Sequence, residues 1–172
     1  TEKIQEDIGI IGTSCRFPGG ESVEGFWELL INGRNAICDV PVERFGESAK
    51  LITIQKGGFI SGVDLFDPGF FGISNVEAKF VDPQQRLVLE ESWHALENGG
   101  ILPESMLEAK AGIFLGIWTE DYFHILKVFT PSQHSNSETN QTEQAQKEQT
   151  AFVTAGGSSA MAAGRLAYIL GT

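Results

Sequence analysis

The sequence predicts an α/β protein, and three observations carry that prediction. Short, nearly continuous apolar runs at Asp7–Gly12 (DIGIIG), Ala111–Ile117 (AGIFLGI) and Ala151–Ala155 (AFVTA) have the length and composition of buried strands. Between them lie stretches with helical periodicity, and glycine and proline clusters punctuate the joins. Strands alternating with helices indicate a sheet with at least some parallel pairing. At 172 residues the chain suffices for one domain with a real core, at roughly 100–200 residues per domain.

The elements follow in order. After the first run, Thr13–Gly20 (TSCRFPGG) reads as loop. Ser22 can cap a helix whose apolar residues Val23, Phe26, Trp27, Leu30 and Ile31 share one face, and Gly33 stops it. Asn35–Lys56 has weak periodicity and reads mostly as connection. Gly57–Ile60 predicts a short strand and Asp64–Gly72 (DLFDPGFFG) a compact aromatic turn. Asp82–Pro83–Gln84–Gln85 is a strong helix start: aspartate at the N-cap, proline at the first helical position, and Gln85 where a capping box wants it. That helix runs through Leu87, Leu89, Trp93 and Leu96 to Asn98–Gly99–Gly100. Near the end, Ala151–Ala155 leads into a Gly156–Ser159 turn and a small-residue helix, Ala160–Gly171.

Residues 130–150 differ from everything before them. They are mostly Ser, Thr, Gln, Asn and Glu, with one alanine and no larger aliphatic side chain. Such a stretch buries too little surface to offset its ordering entropy, so it reads as a solvated, mobile insertion.

Charge and composition exclude several function classes. A net charge of −11 with only 12 scattered basic residues argues against nucleic acid and against anionic membranes. No apolar stretch approaches the ~20 residues of a membrane helix. The first seven residues lack the features of a signal peptide, which predicts a cytoplasmic location. Two cysteines, Cys15 and Cys38, are too few for a disulfide framework and too isolated for zinc. His94, His124 and His134 show no metal-ligand spacing. The glycines form neither phosphate-binding pattern, so no cofactor is expected.

Six segments, in order along the chain, resemble the N-terminal part of a β-ketoacyl synthase domain of modular polyketide synthases. They are Ile8–Gly20 (IGIIGTSCRFPGG), Phe26–Leu30 with Gly33, Gly57–Ser74 (GGFISGVDLFDPGFFGIS), Glu77–Glu97 with its DPQQRLVLE core, Gly112–Gly116 with Asp121–Tyr122, and the Gly164–Arg165–Leu166 stretch. The last lies in a segment similar to the ketosynthase pattern G-N-A-x-S-x-A-A-G-R-L-S-Y-x-L-G. Gly157 stands where that pattern has asparagine, and Ala167 where it has serine. The connection around Glu43–Lys56 is shorter than the family's, and the polar insertion is longer.

The resemblance implies a thiolase-like layered α/β fold, of which residues 1–172 would hold the first half only, an incomplete domain. It implies a parent domain that performs decarboxylative Claisen condensation of acyl groups carried on the phosphopantetheine of an acyl carrier protein, and that works as a homodimer. The alternative is a non-catalytic scaffold or dimerisation module of ketosynthase origin. The family's catalytic cysteine and two histidines belong to D-T-A-C-S-S, E-x-H-G-T-G and N-x-G-H patterns, expected beyond Thr172, so no catalytic residue is assigned here. Gly156, Gly157, Ser158, Ser159, Met161, Arg165 and Tyr168 are implied to be dimer-interface or acyl-tunnel scaffold.

The remaining nucleophiles have structural readings. Cys15 matches a family position without a catalytic role. Ser158 in Gly156–Ala160 approximates a G-x-S-x-G elbow, but Ala160 replaces the last glycine, and neither an acid nor a histidine follows the serine as that motif demands. Arg86 and Arg165 read as buried ion-pair partners.

Overall fold

The computed structural model describes residues 7–51, 53–129 and 150–172. The chain divides into two compact units, Thr1–Val63 with Glu91–Ile101, and Asp64–Glu90 with Leu102–Thr172. His134 and nearly all of the polar 130–150 stretch lie outside the described residues.

In the first unit, helix α1 (Val23–Ile31) forms where the apolar spacing predicts it. The Ser22 hydroxyl accepts from the Gly25 N–H at 3.1 Å, satisfying one orphan donor of the first turn. Gly33, at φ +58°, terminates it. None of its residues is buried, and Trp27, Leu30 and Ile31 stand exposed. The stretch read as connection contains β1 (Ile37–Asp39) and α2 (Val42–Phe45). Strand β1 pairs antiparallel with β2 (Lys56–Gly58), Cys38 opposite Gly57. Edge-to-face packing of Phe45 on Phe59, 6.0 Å between centroids, accompanies the hairpin.

In the second unit, Asp64–Gly72 is the aromatic turn the sequence predicts. Phe66 and Phe71 stack at 5.4 Å, and the Asp67 carboxylate accepts from the Phe70 N–H. A short helix, α3 (Asn75–Ala78), is capped by Ser74. Helix α4 (Pro83–Asn98) gives residues 83–90 to this unit and 91–98 to the other. The remaining helices are α5 (Asp121–Phe129), α6 (150–157) and α7 (Ala162–Leu170), the last closed by Gly171 at φ +70°. Ile73, Val81, Leu89, Val153, Ala162, Leu166 and Leu170 form the buried apolar core of this unit.

Three strand expectations are corrected. Residues 7–12 and 111–117 form no strand among the described residues, whose sheet is the antiparallel β1–β2 pair. An apolar run becomes a strand only when a neighbouring chain takes its N–H and C=O groups. Without that cover Ile8 is 96% and Phe114 97% exposed. Ala151–Ala155 is helical. Its buried positions 153, 156 and 157 follow i, i+3, i+4 spacing, and Phe152 stacks on Phe80 at 6.1 Å. A five-residue apolar run carries too little periodicity to separate helix from strand. The Gly156–Ser159 turn is accordingly the end of α6, a break at Ser158 and a single 3₁₀ turn, Ser159–Met161, before α7.

Candidate functional site

Asp82 follows the turn that leaves α3 and accepts the Gln84 N–H at 2.8 Å, capping the helix as predicted. Gln85 does not complete a capping box. It is 2% exposed, and its amide turns away from the cap toward the α6–α7 junction. Its Nε2 donates to the carbonyls of Gly156 (2.9 Å) and Ser158 (3.0 Å), and its Oε1 accepts from Arg165 Nε at 3.2 Å. The backbone N–H of Asp82 also donates to the Gly156 carbonyl, at 2.9 Å. A cap needs one acceptor for orphan N–H groups. The Gly156 carbonyl at the end of α6 has no donor from its own helix, and the Gln85 amide gives one N–H to it and the other to the Ser158 carbonyl, which also accepts the Met161 N–H.

Arg165, on α7, is the second half of this arrangement. Its Nη1 donates to Glu77 Oε1 at 2.7 Å, with side-chain exposures of 13% and 27%, and its Nη2 reaches the Ala155 carbonyl at 3.4 Å. The ion-pair expectation therefore holds for Arg165. Arg86 instead donates to the Val81 carbonyl at 2.9 Å and lies 5.7 Å from the Tyr122 ring centroid. Tyr122 in turn donates its hydroxyl to the Lys79 carbonyl.

The junction fits closely. A Cβ at Gly156 would overlap the Phe80 carbonyl oxygen, and one at Gly157 would lie 2.6 Å from the Phe123 ring. Only glycine allows that approach. Ser159 donates both its hydroxyl (2.6 Å) and its N–H (3.3 Å) to Glu120, and these bonds hold the Glu120 carboxyl below its ordinary pKa. The Asp82 carboxyl is pushed up, chiefly by burial, against the downward pull of its Gln84 bonds.

Of the predicted scaffold residues, Gly156, Gly157, Ser158, Ser159 and Arg165 are brought together at the junction. Met161 and Tyr168, the latter 88% exposed, line an open cavity of about 340 Å³ whose wall Arg165 and Glu77 share. Gln85, Glu77 and Glu120 are the residues that sequence reasoning missed. Their partners lie 39 to 88 positions away, beyond any local signal.

This cluster holds main chain; it does not activate a nucleophile. The Gln85 amide donors go to carbonyls, and Arg165 faces a carboxylate, an amide oxygen and a carbonyl. The Ser158 elbow is ruled out, because its context is helix–break–helix where the motif needs strand–turn–helix. Elsewhere, in the first unit, Ser14 and Arg16 both bind Glu91, with His94 Nδ1 at 3.8 Å. Burial pushes the Cys15 thiol up, and the carboxylates of Glu91 and Glu24 add to this, the opposite of a reactive cysteine. Cys38 is exposed on β1, and His124 lies beside Phe123 on α5. Among the described residues no group of His, Cys, Asp and Glu has metal-binding geometry.

The fold is that of the thiolase-like ketosynthase domains. It aligns with the ketosynthase of module 6 of the bacillaene synthase of Bacillus subtilis 168 at a TM-score of 0.70 and 31% identity, covering 92% of this chain and 23% of that one. An oxazolomycin ketosynthase domain of Streptomyces albus aligns at 0.73 and 27%, covering 96% and 28%. The profile of the Beta-ketoacyl synthase, N-terminal domain family matches residues 5–172, and the chain belongs to that family. Its curated relatives include the spectinabilin polyketide synthase system protein NorA' of Streptomyces orinoci and the erythronolide synthase EryA3 of Saccharopolyspora erythraea, each 39% identical over 167 residues. The chain spans 4% and 5% of those two proteins and 96% of itself.

Proposed function

We propose that this chain is the scaffold-bearing first part of a ketosynthase domain whose whole catalyses decarboxylative Claisen condensation between acyl groups on carrier-protein phosphopantetheine. The observation that carries the reading is the family match over residues 5–172. The parent's nucleophilic cysteine and two histidines lie beyond Thr172 in this reading. The chain itself contributes packing and the main chain of the dimer interface and acyl tunnel through Gly156, Gly157, Ser158, Ser159, Met161, Arg165 and Tyr168. The parent works as a cytoplasmic homodimer with an acyl carrier protein as partner. No helix among the described residues is long and apolar enough to cross a membrane.

The raised thiol of Cys15 and the commitment of all three Arg165 nitrogens to Gln85, Glu77 and the Ala155 carbonyl support a scaffold role. The exposed apolar runs at 7–12 and 111–117 are segments for the rest of such a domain to cover. The test is a protein in which these residues continue through the whole domain. It should take an acyl thioester onto the downstream cysteine and condense it with a malonyl carrier thioester. Changing that cysteine to alanine should abolish condensation. Residues 1–172 alone should show no acylation by intact-mass spectrometry; stoichiometric acylation at Cys15 or Ser158 would refute the assignment. A soluble, cooperatively melting 172-residue monomer would refute the incomplete-domain reading.

A further inference from the structure

The Gln85 side chain is a buried amide with every hydrogen-bonding atom committed across more than seventy residues of sequence. It reaches the break between α6 and the 3₁₀ turn that follows. There the Gly156 carbonyl has no donor from its own helix, because the helix ends at 157, while the Ser158 carbonyl accepts the Met161 N–H at 3.2 Å. Gln85 supplies the missing donor from outside the helix, and the Asp82 N–H adds a second donor to Gly156. The Oε1 atom then orients Arg165, whose other nitrogens hold Glu77 and the Ala155 carbonyl. Alternate carbonyls of the junction, at 156 and 158, are therefore tied to one planar group.

We propose that Gln85 is a positioning residue for condensation: with the Arg165–Glu77 pair it sets the register of the main chain at 155–158, and thereby the tunnel wall which that stretch forms. This rests on the ketosynthase reading above. Only glutamine meets the requirement. Leucine satisfies none of the three partners. Glutamate has no donor and would set an oxygen against two carbonyls. Asparagine is one methylene short. The glycines at 156 and 157 make the junction sensitive to the tie, because they sit against Phe80 and Phe123 with no side chain of their own to hold them.

The test uses the whole ketosynthase domain and its Gln85→Leu variant. Condensation is measured with acetyl and hexanoyl N-acetylcysteamine thioesters against malonyl carrier protein, alongside hydrogen exchange of amides 155–160. A displaced wall should cost up to about 100-fold in kcat/KM. It should change the acetyl-to-hexanoyl ratio and speed exchange at 155–160, with the variant still melting cooperatively. A residue that merely stabilises the fold would lower the melting temperature and leave that ratio alone, which would overturn the proposal. Where Gln85→Leu does not fold, Glu77→Gln loosens Arg165 while keeping an acceptor for it; an unchanged ratio and unchanged exchange in that variant overturn the proposal equally. A wild-type domain that condenses nothing refutes the ketosynthase reading. One that condenses normally while Gln85→Leu does the same refutes the positioning role alone.

Discussion

Removing Glu77 tests how the second unit is held together. Its carboxylate meets Arg165 at 2.7 Å, and the two side chains are 27% and 13% exposed. Pairs exposed to solvent contribute about 0–1 kcal/mol, whereas removing one partner of a buried pair costs about 3–5 kcal/mol by stranding the other charge. Arg165 keeps the Gln85 oxygen and the Ala155 carbonyl as acceptors, and Glu77 is partly solvated, which places Glu77→Ala near the lower end, about 3 kcal/mol. Urea unfolding of the whole domain should show a lower midpoint at unchanged slope. The loss should persist in molar salt, where a Debye length of about 3 Å screens exposed charges but not buried ones. The double variant Glu77→Leu, Arg165→Met should recover only part of it, since an apolar pair leaves no buried charge but takes the Arg165 donor from the buried Gln85 oxygen. A loss below about 1 kcal/mol that vanishes with salt would refute the claim that this pair is shielded.

Asp82→Ala should cost about 0.5–2 kcal/mol through loss of the α4 cap, and an unchanged melting midpoint would count against that cap. Because burial raises the folded Asp82 carboxyl above its unfolded value, the native state holds that proton more tightly. Its contribution is full below the unfolded value and lost as pH rises through the folded one, so Asp82→Asn should gain on wild type as pH rises through the carboxylate range in pH-dependent unfolding. Ser159→Ala removes the main cause of the lowered Glu120 carboxyl, so its NMR titration should move up toward the ordinary value. The stabilisation Glu120 gives wild type should be lost as pH falls through its lowered folded value, and an unmoved Glu120 titration would contradict the hydrogen bond. The composition of 130–150 predicts first cleavage there in limited proteolysis, with deletion tolerated by the fold; resistance of that stretch would mean it serves a substrate or partner.

Local chemistry explains why some features were legible and others were not. Ser22, Asp82 and Gly33 announce helix ends because capping involves residues two or three apart, within reach of a sequence pattern. The family too was legible, since its motifs are ordered strings. The 151–155 run was misread because its five apolar residues fit either state, and packing of Val153 and Phe152 decided for helix. Gln85 looked like a capping residue because the pattern around Asp82 is a capping pattern. Its side chain serves carbonyls 71 and 73 positions away, which no local rule can see.

By itself the sequence determined the ketosynthase family, the α/β class and the starts of α1 and α4, because periodicity, capping and motif order are properties of near neighbours. Tertiary structure alone decided that α6 is a helix, that 7–12 and 111–117 lack strand partners among the described residues, and that Gln85, Arg165 and Glu77 converge on the 155–158 main chain. Strand pairing and the satisfaction of buried carbonyls depend on which distant atoms arrive at the same place, and that is settled only when the chain has folded.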